Sequence, residues 1–244
     1  MRRSDRTSLE QRIAHYGHHV TVVQGPPLPR FAYTIGLLER IGLELLLGGA
    51  IAYDVSEVGR ILNEIARLLR EGHPLGAAIE AGPLGRFKLR KMRSEWVEAL
   101  MLGAVDFHRE RTVIGYQVVP DPERWTIDVP LLDEDRGFAA NQAWRWALVE
   151  WSYAVPRTSV ATTNLGALRG ERVTEVARWE PDGWEMFAGA GPDVKPEDAR
   201  VVPLGVLLER DESLKAALTL PVGGAIWRDQ GGGPWQAWGS HNRE

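Results

Sequence analysis

Pro29-Arg30-Phe31-Ala32-Tyr33-Thr34-Ile35-Gly36-Leu37 is the stretch around which the N-terminal half is organised. Its run of aromatic, small and glycine residues suits a strand, Phe31 to Leu37, that ends where another backbone or a ligand comes close. On its N-terminal side, Ser8 to Tyr16 predicts a short helix, with Ser8 as cap and Leu9, Ile13 and Tyr16 at helical spacing. Gly17 stops it, His18 to Val23 reads as a strand rich in β-branched residues, and Gln24 to Arg30 is a turn holding three prolines. On the other side, Leu43 to Ala52 is apolar enough for a central strand.

The clearest element follows. Asp54 and Glu57 form a capping box, and Val58, Ile61, Leu62, Ile65, Leu68 and Leu69 make one apolar stripe before Gly72. Pro74 to Gly85 reads as a loop or short strand, and Arg86 to Arg90 alternates basic with apolar residues as a half-buried strand does. Ser94 is expected to cap a short helix carrying Trp96, Val97, Leu100 and Met101, and Thr112 to Val119 a last strand. Beyond a Pro- and Asp-rich connection, the sequence predicts a helix over Asn141–Tyr153 with Trp144, Leu148 and Trp151 on one face. Strands follow at Ser159–Thr163 and Arg172–Arg178, and a hairpin turn at Asp182-Gly183. Val201 to Leu208 is a strand or a strand-to-helix passage, and Asp211 caps a short helix to Leu218. The elements do not alternate as βαβ units. The expected fold class is therefore α+β: two small mixed domains, each a mainly antiparallel sheet with helices packed on one face. The expected division is 1–122, a connection 123–137, and 138–244.

Charge and composition change at the same place. Residues 1–119 carry 16 Lys and Arg against 13 Asp and Glu, a net +3, whereas 120–244 carry 13 against 20, a net −7. Nine of the ten tryptophans lie beyond residue 120. An acidic, Trp-rich half is ill suited to nucleic acid, whose phosphates need clustered cations, and better suited to a basic protein partner. Cysteine is absent, which excludes disulfides, thiol catalysis and thiolate metal sites. No apolar segment follows the basic N-terminus, and the longest apolar run, Leu43 to Tyr53, is too short to span a bilayer, so a cytoplasmic location without membrane contact is expected.

Two resemblances attach to specific residues. Gly17-His18-His19-Val20, Phe31 to Leu37, Asp54 to Gly72 and Tyr116-Gln117-Val118-Val119-Pro120-Asp121 together resemble the domain-of-unknown-function family 4262. From Val160 to Asp229 the chain resembles the immunity-protein-like family 2185, through Asp182-Gly183-Trp184-Glu185-Met186-Phe187-Ala188-Gly189, Val202-Pro203-Leu204-Gly205 and the helix after Asp211. The second resemblance implies a small α+β module whose role is binding.

The candidate sites compete with plainer readings. His18 and His19 beside Phe31, Tyr33 and Thr34 could line a ligand pocket; equally, the aromatic residues could pack on the Asp54 helix. Arg86, Lys88 and Arg90 project from one strand face and could hold an anion, or simply discourage strand-edge aggregation. Asp182, Trp184, Glu185 and Phe187 could form a partner-binding surface with aromatic anchors, or divide between core and turn. His15 and His19 are four apart, but Gly17 between them breaks the helical face, so no metal site is expected. No cofactor and no catalytic residue is assigned, since the nucleophile-elbow, phosphate-loop, dinucleotide and zinc-protease motifs are all missing. The leading expectation is a non-catalytic binding protein of immunity type that recognises and occludes a protein partner such as a toxin effector. The alternative is a small-molecule sensor or enzyme with its pocket at the Phe31–Leu37 strand.

Overall fold

The computed structural model describes residues 3–133 and 142–238. The chain divides into two compact units, the first built mainly on Arg30–Trp125 and the second mainly on the residues from Gln142 onward. Among the described residues each unit has one six-stranded mixed sheet, so the α+β class with two domains holds. No helix among them is long and apolar enough to cross a membrane.

The first unit opens with α1 (Arg3–Tyr16), β1 (His19–Val23) and β2 (Phe31–Ile35). The helix begins five residues before the expected Ser8 cap. Gly17 ends it at φ 88°, with its N–H on Ile13 O. A helical turn the sequence reading missed, α2 (Leu38–Ile41), separates β2 from β3 (Glu44–Gly48). β3 is shorter than the apolar run predicts because Gly49 and Ala50 take φ 67° and 57° and turn the chain away.

Next come α3 (Val55–Arg70), β4 (Ile79–Glu80), β5 (Arg86–Lys91), α4 (Ser94–Leu100), α5 (Leu102–Phe107) and β6 (Gly115–Pro120). Ser94 is not the cap of α4: Arg93 takes that position and makes no side-chain cap bond. The strand order is β1-β2-β3-β6-β5-β4; β3 and β6 pair in parallel and every other pair is antiparallel.

Helix α3 buries Val58, Ile61, Leu62, Ile65 and Leu69 against Ala32, Leu45, Leu47 and Val118. The other face of β2 is covered too, since Tyr33 and Ile35 meet Gly103 of α5. The expectation of helices on a single face is thus extended here by α5, which the sequence reading left out.

In the second unit the elements are β7 (Val160–Asn164), α6 (Leu165–Leu168), β8 (Glu175–Glu180), β9 (Gly183–Phe187), β10 (Ala199–Pro203), α7 (Leu204–Arg210), β11 (Ala225–Trp227) and β12 (Gln236–Ala237). The sheet order is β10-β7-β9-β8-β11-β12, with β7 and β9 parallel. The β8–β9 hairpin forms as expected, but Pro181 and Asp182 make the turn and Gly183 opens the strand. The helix expected over Asn141–Tyr153 is absent: the described part holds only a 3-10 helix, Gln142–Ala147, and Asn141 lies outside the described residues. Trp144 and Trp146 are both buried, which one face of an α-helix cannot provide for residues two apart. Leu148, expected on the buried face, is exposed. The segment after Asp211 is likewise a 3-10 helix, Glu212–Thr219, capped by Asp211 as predicted.

Asp54 accepts the Glu57 N–H at 2.8 Å while Glu57 accepts the Asp54 N–H at 2.8 Å, the reciprocal capping box read from the sequence. Asp54→Ala is expected to lower stability, seen as an earlier urea midpoint, and Asp54→Ser to restore most of it.

Candidate functional site

A cleft of about 800 Å³ in the first unit opens among the end of α1, β1, one side of α3 and the Ala81–Leu84 turn. Its walls are cationic. Arg12 comes from α1, His18 and His19 from the residue before β1 and its first residue, and Arg60, Arg67 and Arg70 from α3, with Glu64 as the single carboxylate. The arginines of α3 recur at helical spacing because they lie on the side of the helix opposite the apolar stripe.

Arg67 is tied between Glu64 and Glu71 at 2.7 and 2.6 Å. Arg70 is different. Its Nε donates to Ala66 O, which turns the guanidinium toward Gly17. A Cβ on Gly17 would lie 2.8 Å from Arg70 Nη1 and 3.4 Å from Arg40 Nε, so two cations converge there.

His18 is buried at 7% exposure and donates Nε2–H to Asn63 Oδ1 at 2.8 Å. Its Nδ1 is buried without a hydrogen-bond partner. Burial holds its pKa below the usual histidine range; the Asn63 bond works against this, and Arg70 adds to it. His19 is also lowered, first by burial and then by Arg12 and His18.

Behind the cleft lies a polar cluster that the sequence reading did not find. The Glu44 carboxylate is fully buried. It accepts from Thr34 Oγ1 at 2.6 Å, Gly36 N at 2.6 Å and Leu38 N at 3.1 Å, and meets His108 Nε2 at 2.9 Å. Thr34 Oγ1 accepts in turn from Leu45 N at 2.8 Å. A lone glutamate in an apolar strand was the available signal, because such a charge is buried only when paired.

The residues singled out in the sequence separate. His18 and His19 line the cleft. Phe31, Tyr33 and Thr34 are buried outside its lining: Phe31 and Tyr33 stack at 6.3 Å between ring centroids, and the Tyr33 hydroxyl accepts Gly103 N–H. Of the strand cations, Arg86 pairs with Glu80 at 3.1 Å and Arg90 with Asp133 at 2.9 Å, and Lys88 is exposed.

In the second unit, Trp184 is buried with Arg178 stacked over it at 4.7 Å, and Asp182 sits in the turn with its carbonyl accepting Val160 N–H. Glu185 and Phe187 point to the opposite side of β9. There they help to line a groove of about 540 Å³ with Trp179, Glu175 and Trp238. Among the described residues, no group of three or more His, Asp or Glu could hold a metal ion.

Residues 12–124 match the family described as Domain of unknown function (DUF4262), a span that contains the whole cleft and the Glu44 cluster. Neither the comparison with curated proteins nor that with solved structures found a match. The comparisons give no support to the likeness of the second half to the immunity-protein-like family expected from its sequence.

The histidines give the first unit a pH dependence of defined sign. Their folded pKa values lie below the unfolded value of about 6.5, so below that pH the unfolded chain takes up protons more readily. This contribution to stability is complete above about pH 6.5 and is lost as pH falls. Thermal unfolding between pH 7.5 and 5 is expected to show a declining midpoint, with a shallower decline in His18→Gln/His19→Gln.

Proposed function

We propose that this protein acts by binding, and that its second unit recognises a protein partner in the manner of an immunity protein that occludes a toxin effector. The observation that carries the reading is the groove on the sheet face opposite Trp184. Two indoles, Trp179 and Trp238, stand 56% and 52% exposed at it, and Phe187 and the carboxylates of Glu175 and Glu185 complete it. Exposed tryptophans are costly to leave in water and are the side chains that most often anchor protein interfaces.

The Trp179 indole N–H donates to Glu185 Oε2 at 2.7 Å, which fixes the ring in place before any partner arrives. A preordered anchor loses less side-chain entropy on association. The net charge of −7 on residues 120–244 selects a basic partner and speeds its encounter. The sequence likeness of Asp182 to Gly189 to the immunity-like family points the same way, and a toxin met inside the producing cell would make the site of action cytoplasmic.

The test is co-expression with toxins encoded beside the gene, followed by affinity measurement on the purified pair. Protection and a saturable complex are expected. Trp179→Ala and Glu185→Lys should each weaken the complex at least about tenfold, or about 1.4 kcal/mol. No protection from any adjacent toxin, or a complex indifferent to both substitutions, would count against the reading.

A further inference from the structure

We propose that the cleft of the first unit is a binding site for a phosphorylated small molecule carrying at least two negative charges. The site is separate from the groove of the second unit. Three observations meet in it.

The first is charge without counter-charge. Arg12, Arg60 and Arg70 line the cleft, and among the described residues none of them pairs with a carboxylate; Arg67 is the one cation neutralised there, by Glu64 and Glu71. Like charges gathered in a concave, partly desolvated space repel one another, and a bound anion relieves that repulsion. Arg70 packs against Gly17 with Arg40 beside it, so a further guanidinium stands next to the cleft-lining Arg70. Neighbouring guanidiniums suit the several oxygens of a phosphate, each able to accept a pair of N–H bonds.

The second is an unused polar atom. His18 is more than nine-tenths buried and lines the cleft, its ring held by Asn63, yet Nδ1 has no partner. Buried polar atoms are almost always satisfied, and this orphan belongs to a ring that lines the cleft, so a small shift on binding brings it to a ligand atom. Nδ1 accepts from a ligand hydroxyl when the ring is neutral and donates to a phosphate oxygen when it is charged.

The third is size. About 800 Å³ falls within the range of small-molecule sites and is large enough for a nucleotide. A single inorganic anion would leave most of it empty.

The experiment is calorimetric titration of the full-length protein with inorganic tripolyphosphate and with ADP, using sulfate as a singly placed anion. Saturable binding of tripolyphosphate or ADP, with little or no binding of sulfate, is expected. Arg60→Gln and Arg70→Gln should each weaken it by about tenfold or more. Arg109→Gln, which removes an exposed cation paired with Asp106 on α5, should leave it unchanged.

A second readout follows the ring nitrogens of His18 by NMR: ADP or tripolyphosphate should shift Nδ1 more than any other histidine nitrogen. Should Arg70→Gln fail to fold, Arg60→Gln carries the test, since that side chain is exposed. No saturable binding of tripolyphosphate or ADP at millimolar concentration overturns the proposal. So does binding that Arg109→Gln weakens as much as Arg60→Gln, which would report general attraction between charges. Neither result touches the reading of the second unit, because none of these side chains lines its groove.

Discussion

A single buried carboxylate holds the first unit together. Glu44 sits at the start of β3, fully out of water, and four separate groups converge on it: the hydroxyl of Thr34, two backbone N–H groups from the β2–α2 turn, and the His108 ring. A carboxylate stripped of water is tolerated only when hydrogen bonds replace its hydration, and here three groups meet Oε1 and the Thr34 hydroxyl meets Oε2. The clasp also explains the Phe-Ala-Tyr-Thr-Ile-Gly-Leu string. Ala32 meets α3, Thr34 turns to the carboxylate, Tyr33 and Ile35 face α5, and Gly36 must be glycine: its φ is 104° and a Cβ would meet Ile13 at 2.7 Å.

The two units present surfaces of opposite chemistry. The first offers a cationic hollow whose arginines come from α1 and from one stripe of α3, with histidines at its wall. The second offers an acidic and aromatic sheet face, kept free because β9 alternates Trp184 and Met186 inward with Glu185 and Phe187 outward. Both surfaces are preformed by packing. In the first, the arginine stripe is carried by a helix whose opposite side is locked into the core; in the second, the outward residues stand on strands whose inward residues are buried.

How much of this could be read from the amino-acid order depends on range. Helix α3 was legible because its cap, stripe and stop are all local, and the β8–β9 hairpin because its turn residues are. The helix over 141–153 misled for a physical reason: two tryptophans both demanding burial outweighed helical periodicity and tightened the chain into a 3-10 turn. The short helices α2 and α5 carry too few residues for a periodic signal. Of the cleft, His18 and His19 were picked out, but no local signal sets Arg60 and Arg70 apart from the solvated side of an amphipathic helix. Nothing local says that β1 and the Ala81–Leu84 turn rise beside them. Glu44 and His108 are 64 residues apart and meet only in the folded chain.

In the first sheet, β1, β2 and β3 follow one another, β4 and β5 form a second group, and β6 alone lies between the groups. Its Gln117 is fully buried, donating to Pro130 O at 2.6 Å and accepting Leu132 N–H at 3.1 Å, and Arg93 N–H bonds Leu132 O. The family match stops at residue 124, so the strap that saturates the central strand lies just past its end. A fragment cut at that boundary would keep every strand and lose the amide's two partners, opening the middle of the sheet to water. A fragment carrying the first unit must therefore run at least through Asp133, whose carboxylate also holds Arg90.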